Sequence, residues 1–382
     1  MRLHLFYFLY YAAAGITTAY LPPYLRSIGL SGVELAVATS IQPLLMIVVP
    51  PVWGFAADRT RRTPQLLRIA CSGAAIAFGL LHVVGRFAGV AGTIALYSLF
   101  ATAIAALADS VAVPYARARG VDYAKIRVWG SIGFVVSSWT FSQWLSRGGG
   151  VSDAIVLASA LMMAYAAASF RLVAEPGSVR GAPPDLREVR RLLQRPEVAL
   201  FLGAAMFHWA ALAPYHVFFA IHLGDLGADP SCIGLGFALA IAAEVAAMWH
   251  PLTSRLPAVP LLALAFGVGV ARWTLTAFAP TGEMVAWLQL AHGVVYGVFF
   301  VASIGHLERL VPAHLLGTAR ALFSAVVFGI GGFFGNLLAG LLYDQGGGRL
   351  AFLAAAALDL VPLLLLVLAP RVARRTAPVA TA

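Results

Sequence analysis

Apolar residues run along this chain in stretches long enough to cross a bilayer, broken by short polar segments in which arginine recurs. A hydrophobic run of about 20 residues spans the hydrocarbon core as an α-helix, because lipid offers the backbone no hydrogen-bond partner. The runs place spans at 4–25, 33–57, 66–85, 91–113, 127–146, 152–170, 198–220, 231–250, 259–279, 284–305, 319–342 and 350–369. The expected fold is all-α, a membrane protein of twelve transmembrane helices in two six-helix halves. Residues 1–170 form the first half, 171–197 a linker, 198–370 the second half and 371–382 a tail. The linker starts with Pro and Gly and continues into LREVRRLL, the pattern of a short surface helix. Six plus six is the layout of a transporter made from two similar halves.

Composition agrees and fixes direction. Of 382 residues, 61% are hydrophobic and 11% charged, far less charge than a soluble surface of this size carries. Most of the 26 Lys and Arg lie in loops on one side of the span pattern. Arg26, Arg86, Arg147 and Arg349 lie on the other side, and Arg272 is inside a span. Basic loops stay cytoplasmic, so both termini and the 171–197 linker are expected there, in the inner membrane. The net charge of +10 therefore reflects topology, not nucleic-acid binding. The first run ends at Pro22-Pro23-Tyr24, with no small-residue cleavage site, and reads as retained. Cys71 and Cys232 fall within spans and imply neither disulfide nor metal site. No cofactor motif appears. GIGGFFGN lacks the preceding strand a nucleotide loop needs, and Gly331 and Gly335 read instead as a close helix contact.

Charged side chains inside spans carry the chemistry. A charge at the bilayer centre costs roughly 2.5–3.5 kcal/mol on insertion scales, yet Glu244, Arg272 and His292 sit in spans eight, nine and ten. They are expected to meet across a cavity. They form either a structural ion pair of Glu244 with Arg272 or a titrating set in which burial and cationic neighbours compete for the Glu244 proton. Asp109 and Arg127 stand at the inner ends of spans four and five, as a rim salt bridge or a cavity pair. Ser98, Thr102 and Asp109 share one helical face, as do Gln289, His292 and Tyr296. His208 and Tyr215 in span seven, and Tyr7 and Tyr11 in span one, are candidate cavity residues or packing. His216 and His222 read as interfacial. Asp359 in span twelve has no identifiable partner.

The loop after span two reads WGFAADRTRRT. Its Gly54, Asp58, Arg59, Arg61 and Arg62 resemble the loop motif of the major facilitator superfamily, without the motif's second glycine. ADSVAVPYARARGVDYAKIRVWGSIGF at 108–134, AEV at 243–245, RW at 272–273, QLAH at 289–292 and GLLYD at 340–344 are similar to the 3-phenylpropionate permease branch, related to lactose permease. The resemblance implies the major facilitator fold and proton-coupled uptake of a small organic solute by alternating access, with roles in coupling for Glu244, Arg272 and His292. It also implies a lipid-facing place for Asp359. Lactose permease carries a proton-binding glutamate one turn beyond its histidine. Val295 stands there in this chain, which leaves Glu244 or Asp109 to bind the proton.

The expected partners are a small-molecule substrate, protons and the lipid bilayer, with no nucleic acid and a monomeric state. An aromatic or other organic acid would suit the arginines, and a sugar or nucleoside would suit the tyrosines. Export is disfavoured because span five, VWGSIGFVVSSWTFSQW, lacks the Gly-Pro motif of family exporters. A scaffold or receptor would leave the buried charges without purpose. No catalytic set points to an enzyme.

Overall fold

The computed structural model describes residues 2–173 and 186–376. All regular elements among them are helical. The first six long helices are α1 (Arg2–Ser27), α2 (Gly32–Thr60), α3 (Thr63–Gly79), α4 (Phe87–Ala118), α5 (Tyr123–Ser146) and α6 (Asp153–Ser169). A short α7 (Leu186–Leu193) covers the LREVRRLL pattern. The Pro/Gly start of the linker, residues 174–185, lies outside the described residues, as do 377–382 of the expected tail.

The later spans are less regular. Span seven is two helices, α8 (Pro196–Ala211) and α9 (Ala213–Asp225), joined at Leu212. Pro214 near the start of α9 has no N–H to give the preceding turn, which ends the first helix there. After α10 (Ser231–Trp249) come the short α11 (Pro251–Arg255) and the long α12 (Ala258–Ala277). Span ten opens as α13 (Gly282–Trp287), tightens to a 3₁₀ turn, widens to a π-helix at Gly293–Val298 and closes as α14 (Phe299–Leu310). Span eleven runs through α15 (Leu316–Phe323) and a π segment, Ser324–Gly331, into α16 (Gly332–Thr376). Residues Gly346 and Gly347 leave helical geometry, Gly347 at φ 61°, and divide α16 into the expected spans eleven and twelve.

Eight helical stretches are long and apolar enough to cross a membrane, and one of them, Ala313–Leu366, contains that division. The remaining expected spans coincide with α1, α5 and α6. Within the first six helices α1 packs on α5 and α6, and α4 on α2 and α3. In the second set α16 packs on α8, α9 and α12. The two sets meet where α2 touches α16, α5 touches α10 and α1 touches α9.

Small residues allow these approaches, since lipid tails offer no hydrophobic gain for helix association and packing must supply it. A Cβ on Gly331 would lie 2.8 Å from the Met206 carbonyl oxygen, and one on Gly335 2.8 Å from Ala210. GIGGFFGN is thus a packing surface against α8.

Candidate functional site

A cavity of about 510 Å³ opens between the two sets of helices. Its wall draws on α1, α2, α3 and the turn after it, α4, α6, α8 and α9, on the π-helix of span ten, and on span eleven from its π segment into α16. Among the described residues the wall contains Thr17, Thr18, Thr39, Gln42 and Asn336, with Tyr10, Tyr97, Tyr165, Trp209, His216 and Tyr296, and no carboxylate, Lys or Arg. Asn336 donates to the Thr39 carbonyl at 3.2 Å. Gln42, His216, the Trp209 indole N–H and the hydroxyls of Tyr10, Tyr97 and Tyr165 have no hydrogen-bond partner among the described residues. A neutral, aromatic wall with unspent donors and acceptors is chemically suited to a hydroxyl-bearing ring.

Behind this wall lies a buried cluster. Arg272 is 1% exposed. Its guanidinium donates to Gln289 Oε1 and, at 3.0 Å, to His292 Nδ1. Arginine can only donate, so Nδ1 accepts and His292 is neutral in this arrangement. Aromatic faces close the remaining sides, the Tyr215 ring centre at 4.8 Å and Trp273 at 4.2 Å. His292 in turn stacks on Tyr296, their ring centres 5.4 Å apart. Tyr296 therefore connects the cavity wall to the arginine. Arg272 and His292 come together as the sequence reading expects, Gln289 joins them instead of lining the cavity, and Glu244 does not.

Glu244 is half-buried and forms no hydrogen bond or ion pair among the described residues. α10 packs on α5, which carries Arg127, and on span ten, and Arg127 is the cationic influence on Glu244, while no bond links Glu244 to Arg272. The expected Glu244–Arg272 pairing is corrected accordingly. The expected Asp109–Arg127 pair also changes form. Asp109 accepts from the hydroxyls of Tyr7 at 2.5 Å and Tyr123 at 2.7 Å. Arg127 donates to the Tyr11 hydroxyl and lies 4.1 Å from that ring's centre. Tyrosines intervene where a direct ion pair was expected.

The whole pattern matches one known family over nearly its full length. The MFS_1-like family model covers residues 1–354. The chain belongs to this family of major facilitator transporters. It is 31% identical over 347 residues to a maltose permease of Geobacillus stearothermophilus, covering 89% of this chain and 87% of the relative. It is 24% identical over 362 residues to a probable 3-phenylpropionic acid transporter of Escherichia coli K12, covering 89% and 90%. A crystal structure of the nucleoside transporter NupG superposes with a TM-score of 0.85 at 16% identity, covering 97% and 98%. This chain is a multi-pass membrane transporter and not an enzyme.

The family's loop motif takes a definite shape here. α2 ends at Thr60, and Arg61 follows in the left-handed region at φ 54°, its N–H bonded to the Ala57 carbonyl. It is the one non-glycine with positive φ among the described residues. A glycine is the usual occupant of such a helix end, so the glycine missing from the motif leaves arginine in its conformation. Gly54 is half-buried, while Asp58, Arg59 and Arg62 are exposed.

At the opposite end of α2 the two sets of helices are joined. Asp344 of α16 accepts from the Gly32 and Val33 amides at 2.7 and 2.8 Å, and Ser31 and Glu34 complete a reciprocal cap. A carboxylate at a helix start meets unpaired N–H groups and the positive end of the helix dipole. A Cβ on Gly340 would fall 2.2 Å from the Ala36 Cβ, which shows how close the two helices come.

Of the side chains expected to line the cavity, Tyr296 does so. Gln289 and Tyr215 surround Arg272, Tyr7 and Tyr11 serve Asp109 and Arg127, and Thr102 donates to the Ser98 carbonyl of its own helix. His208 is fully buried against Asp359, and that aspartate is itself 0% exposed rather than lipid-facing. His216 faces the cavity, and His222 is buried beside Phe352, so neither sits at the surface as expected. The wall residues that the sequence reading passed over had a signal in Gln42 and Asn336, lone carboxamides in apolar runs. Tyr10, Tyr97 and Tyr165 had none, because an aromatic in a span is as consistent with packing.

Proposed function

We propose that this protein is a proton-coupled importer of a neutral solute with a ring and several hydroxyls, such as a glycoside or nucleoside. It works by alternating access in the inner membrane, with both termini cytoplasmic. The uncharged cavity wall with its unspent hydrogen-bonding groups carries this reading. An organic acid would need a cation at the wall, and Arg272 and Arg127 are both engaged behind it. Relatives that handle maltose or nucleosides by name agree with the neutral class.

Alternation has a natural element in the Asp344 cap. It ties the two halves together on the side where the loops carry few basic residues, the outer side in the expected topology. The close approaches of α2 to the second half run from Gly32 to Ile47, within the first part of that helix. A cavity closed outside and reached from inside fits this arrangement.

Purified protein in liposomes decides the substrate class. With an inward proton gradient, labelled uridine, xanthosine, maltose and 3-phenylpropionate are supplied in turn. The expected outcome is accumulation of one of the neutral glycosides, abolished by a protonophore. Accumulation of 3-phenylpropionate alone would overturn the neutral class.

A further inference from the structure

The second half buries an acid–base pair that neither the cavity wall nor the loop motif uses. His208 Nδ1 on α8 and Asp359 Oδ1 on α16 lie 2.5 Å apart, both side chains 0% exposed. Their outer contacts have a fixed sense. A carbonyl oxygen only accepts, so His208 Nε2, 2.7 Å from the Val295 oxygen, must carry a hydrogen. An indole nitrogen only donates, so Asp359 Oδ2 accepts from Trp273 Nε1 at 2.8 Å. What remains is the contact between Nδ1 and Oδ1, and it requires one hydrogen. Imidazolium with carboxylate and imidazole with carboxylic acid satisfy it equally. Both hold the same proton, and both leave the pair without net charge.

The bond to Val295 reaches the irregular part of span ten. The Phe299 amide bonds to the carbonyls of Val294 and Tyr296, so the Val295 carbonyl is not taken by the amide four residues on. The π-helix frees it for His208, and π segments recur at functional sites. Tyr296, the next residue, lines the solute cavity. Two charged or titratable groups act on the pair from the surrounding helices. Arg272 on α12 acts on Asp359. His292, at the head of the π-helix, feels Arg272, His216 and His208. His216 on α9 lines the cavity and acts on His292 rather than on the pair itself. The rings of Phe266 and Phe299 pack on His208 at 4.9 and 4.5 Å and keep water from it.

We propose that the His208–Asp359 pair is a proton-binding site whose loading and release act on the π-helix of span ten and so couple proton movement to solute movement. On release, one proton leaves the Nδ1–Oδ1 contact for water. Neutral His208 keeps its Nε2 hydrogen on Val295, and ionised Asp359 is held by the Trp273 N–H with Arg272 as the nearby positive charge. Rebinding reverses this. The proposal rests on the proton-coupled reading and names the site within it.

Two measurements separate this proposal from that reading. Asp359→Asn keeps an acceptor for Trp273 and a donor for His208 Nδ1 but cannot titrate. In liposomes, uridine and maltose are followed both in counterflow exchange and in gradient-driven uptake. The wild type is expected to exchange and to accumulate one of them. Asp359→Asn is expected to exchange but to lose the accumulation, roughly fifty-fold for one charge at about 100 mV. Wild-type accumulation in Asp359→Asn overturns the proposal. Exchange without accumulation in the wild type defeats the proton-coupled reading instead, and infrared difference spectra between acid and alkaline pH then decide the pair. Those spectra are expected to contain a titrating carboxyl or imidazole signal that shifts in Trp273→Phe, a variant that leaves both members of the pair in place. They serve equally if Asp359→Asn does not fold. A spectrum with no titrating signal sensitive to Trp273→Phe overturns the proposal.

Discussion

Two carboxylates lie deep within this bundle, and their surroundings could hardly differ more. Asp359 is fully buried, with a histidine on one oxygen and an indole on the other. Glu244 is half-buried between the two halves, with no hydrogen-bond partner and with Arg127 as the cation that acts on it. In the alternating access we propose, Asp359, packed between helices of one set, would keep its contacts. Glu244, on α10 where that helix meets α5 of the other set, would see its surroundings change. Removing a carboxylate of the first kind costs folding energy as well as coupling. One of the second kind should cost function alone.

The largest effect is expected from Asp359→Ala. It strands His208 Nδ1 and the Trp273 N–H in a dry site, and breaking a buried pair from one side costs about 3–5 kcal/mol. Reversible unfolding in mixed micelles measures it, and a loss below about 1 kcal/mol would show that these contacts hold little. Gly269→Ala tests the same region without replacing either member of the pair. A Cβ there would lie 2.1 Å from Asp359 Oδ2, so the carboxylate must shift. Overpacking of this kind costs about 2 kcal/mol. Unchanged stability would mean that Asp359 is not pressed against α12.

What the sequence could and could not reveal follows from the same contrast. Span positions were legible because lipid imposes a length and a polarity on each run. The breaks at Leu212 and at Gly346–Gly347 also had chemical markers, Pro214 and the glycines themselves. The π-helix in span ten had no marker. Nor could periodicity show which helices meet, since every face of such a helix is apolar enough to be buried. Arg272 and His292 come together as expected because α12 and span ten are neighbours in order, and Gln289, expected at the cavity, is drawn to the same arginine. Asp359 and His208 are 151 positions apart, and their meeting depends on how α16 packs against α8. Glu244 forms no hydrogen bond or ion pair with Arg272 although α10 packs on span ten as well as on α5. The cost of a buried charge can be read from sequence, but its partner is a property of the packing.

A smaller effect distinguishes the partners of Glu244. In double-mutant cycles read on gradient-driven uptake, Glu244→Gln with Arg127→Gln is expected to deviate from additivity by about 0.5 kcal/mol or more. Glu244→Gln with Arg272→Gln should be closer to additive, as befits residues with no direct bond and Tyr215 between them. The reverse ordering would return Glu244 to the Arg272 cluster.

The smallest expected effect, and the most informative, is that of Glu244→Gln on folding. If Glu244 neutralised Arg272, its loss would leave a buried arginine uncompensated, and stability would fall by several kcal/mol. But Arg272 already has Gln289, His292 and two aromatic faces, and Asp359 is the carboxylate that acts on it. Replacing a half-buried, unpaired carboxylate with its amide removes a charge that nothing in the fold requires. Stability should stay within about 0.5 kcal/mol of wild type, while uptake driven by the gradient falls. Unfolding curves and uptake measured on one preparation provide both numbers. A destabilised Glu244→Gln would make the residue structural. A stable, inactive one would show that this charge is kept in the membrane for transport.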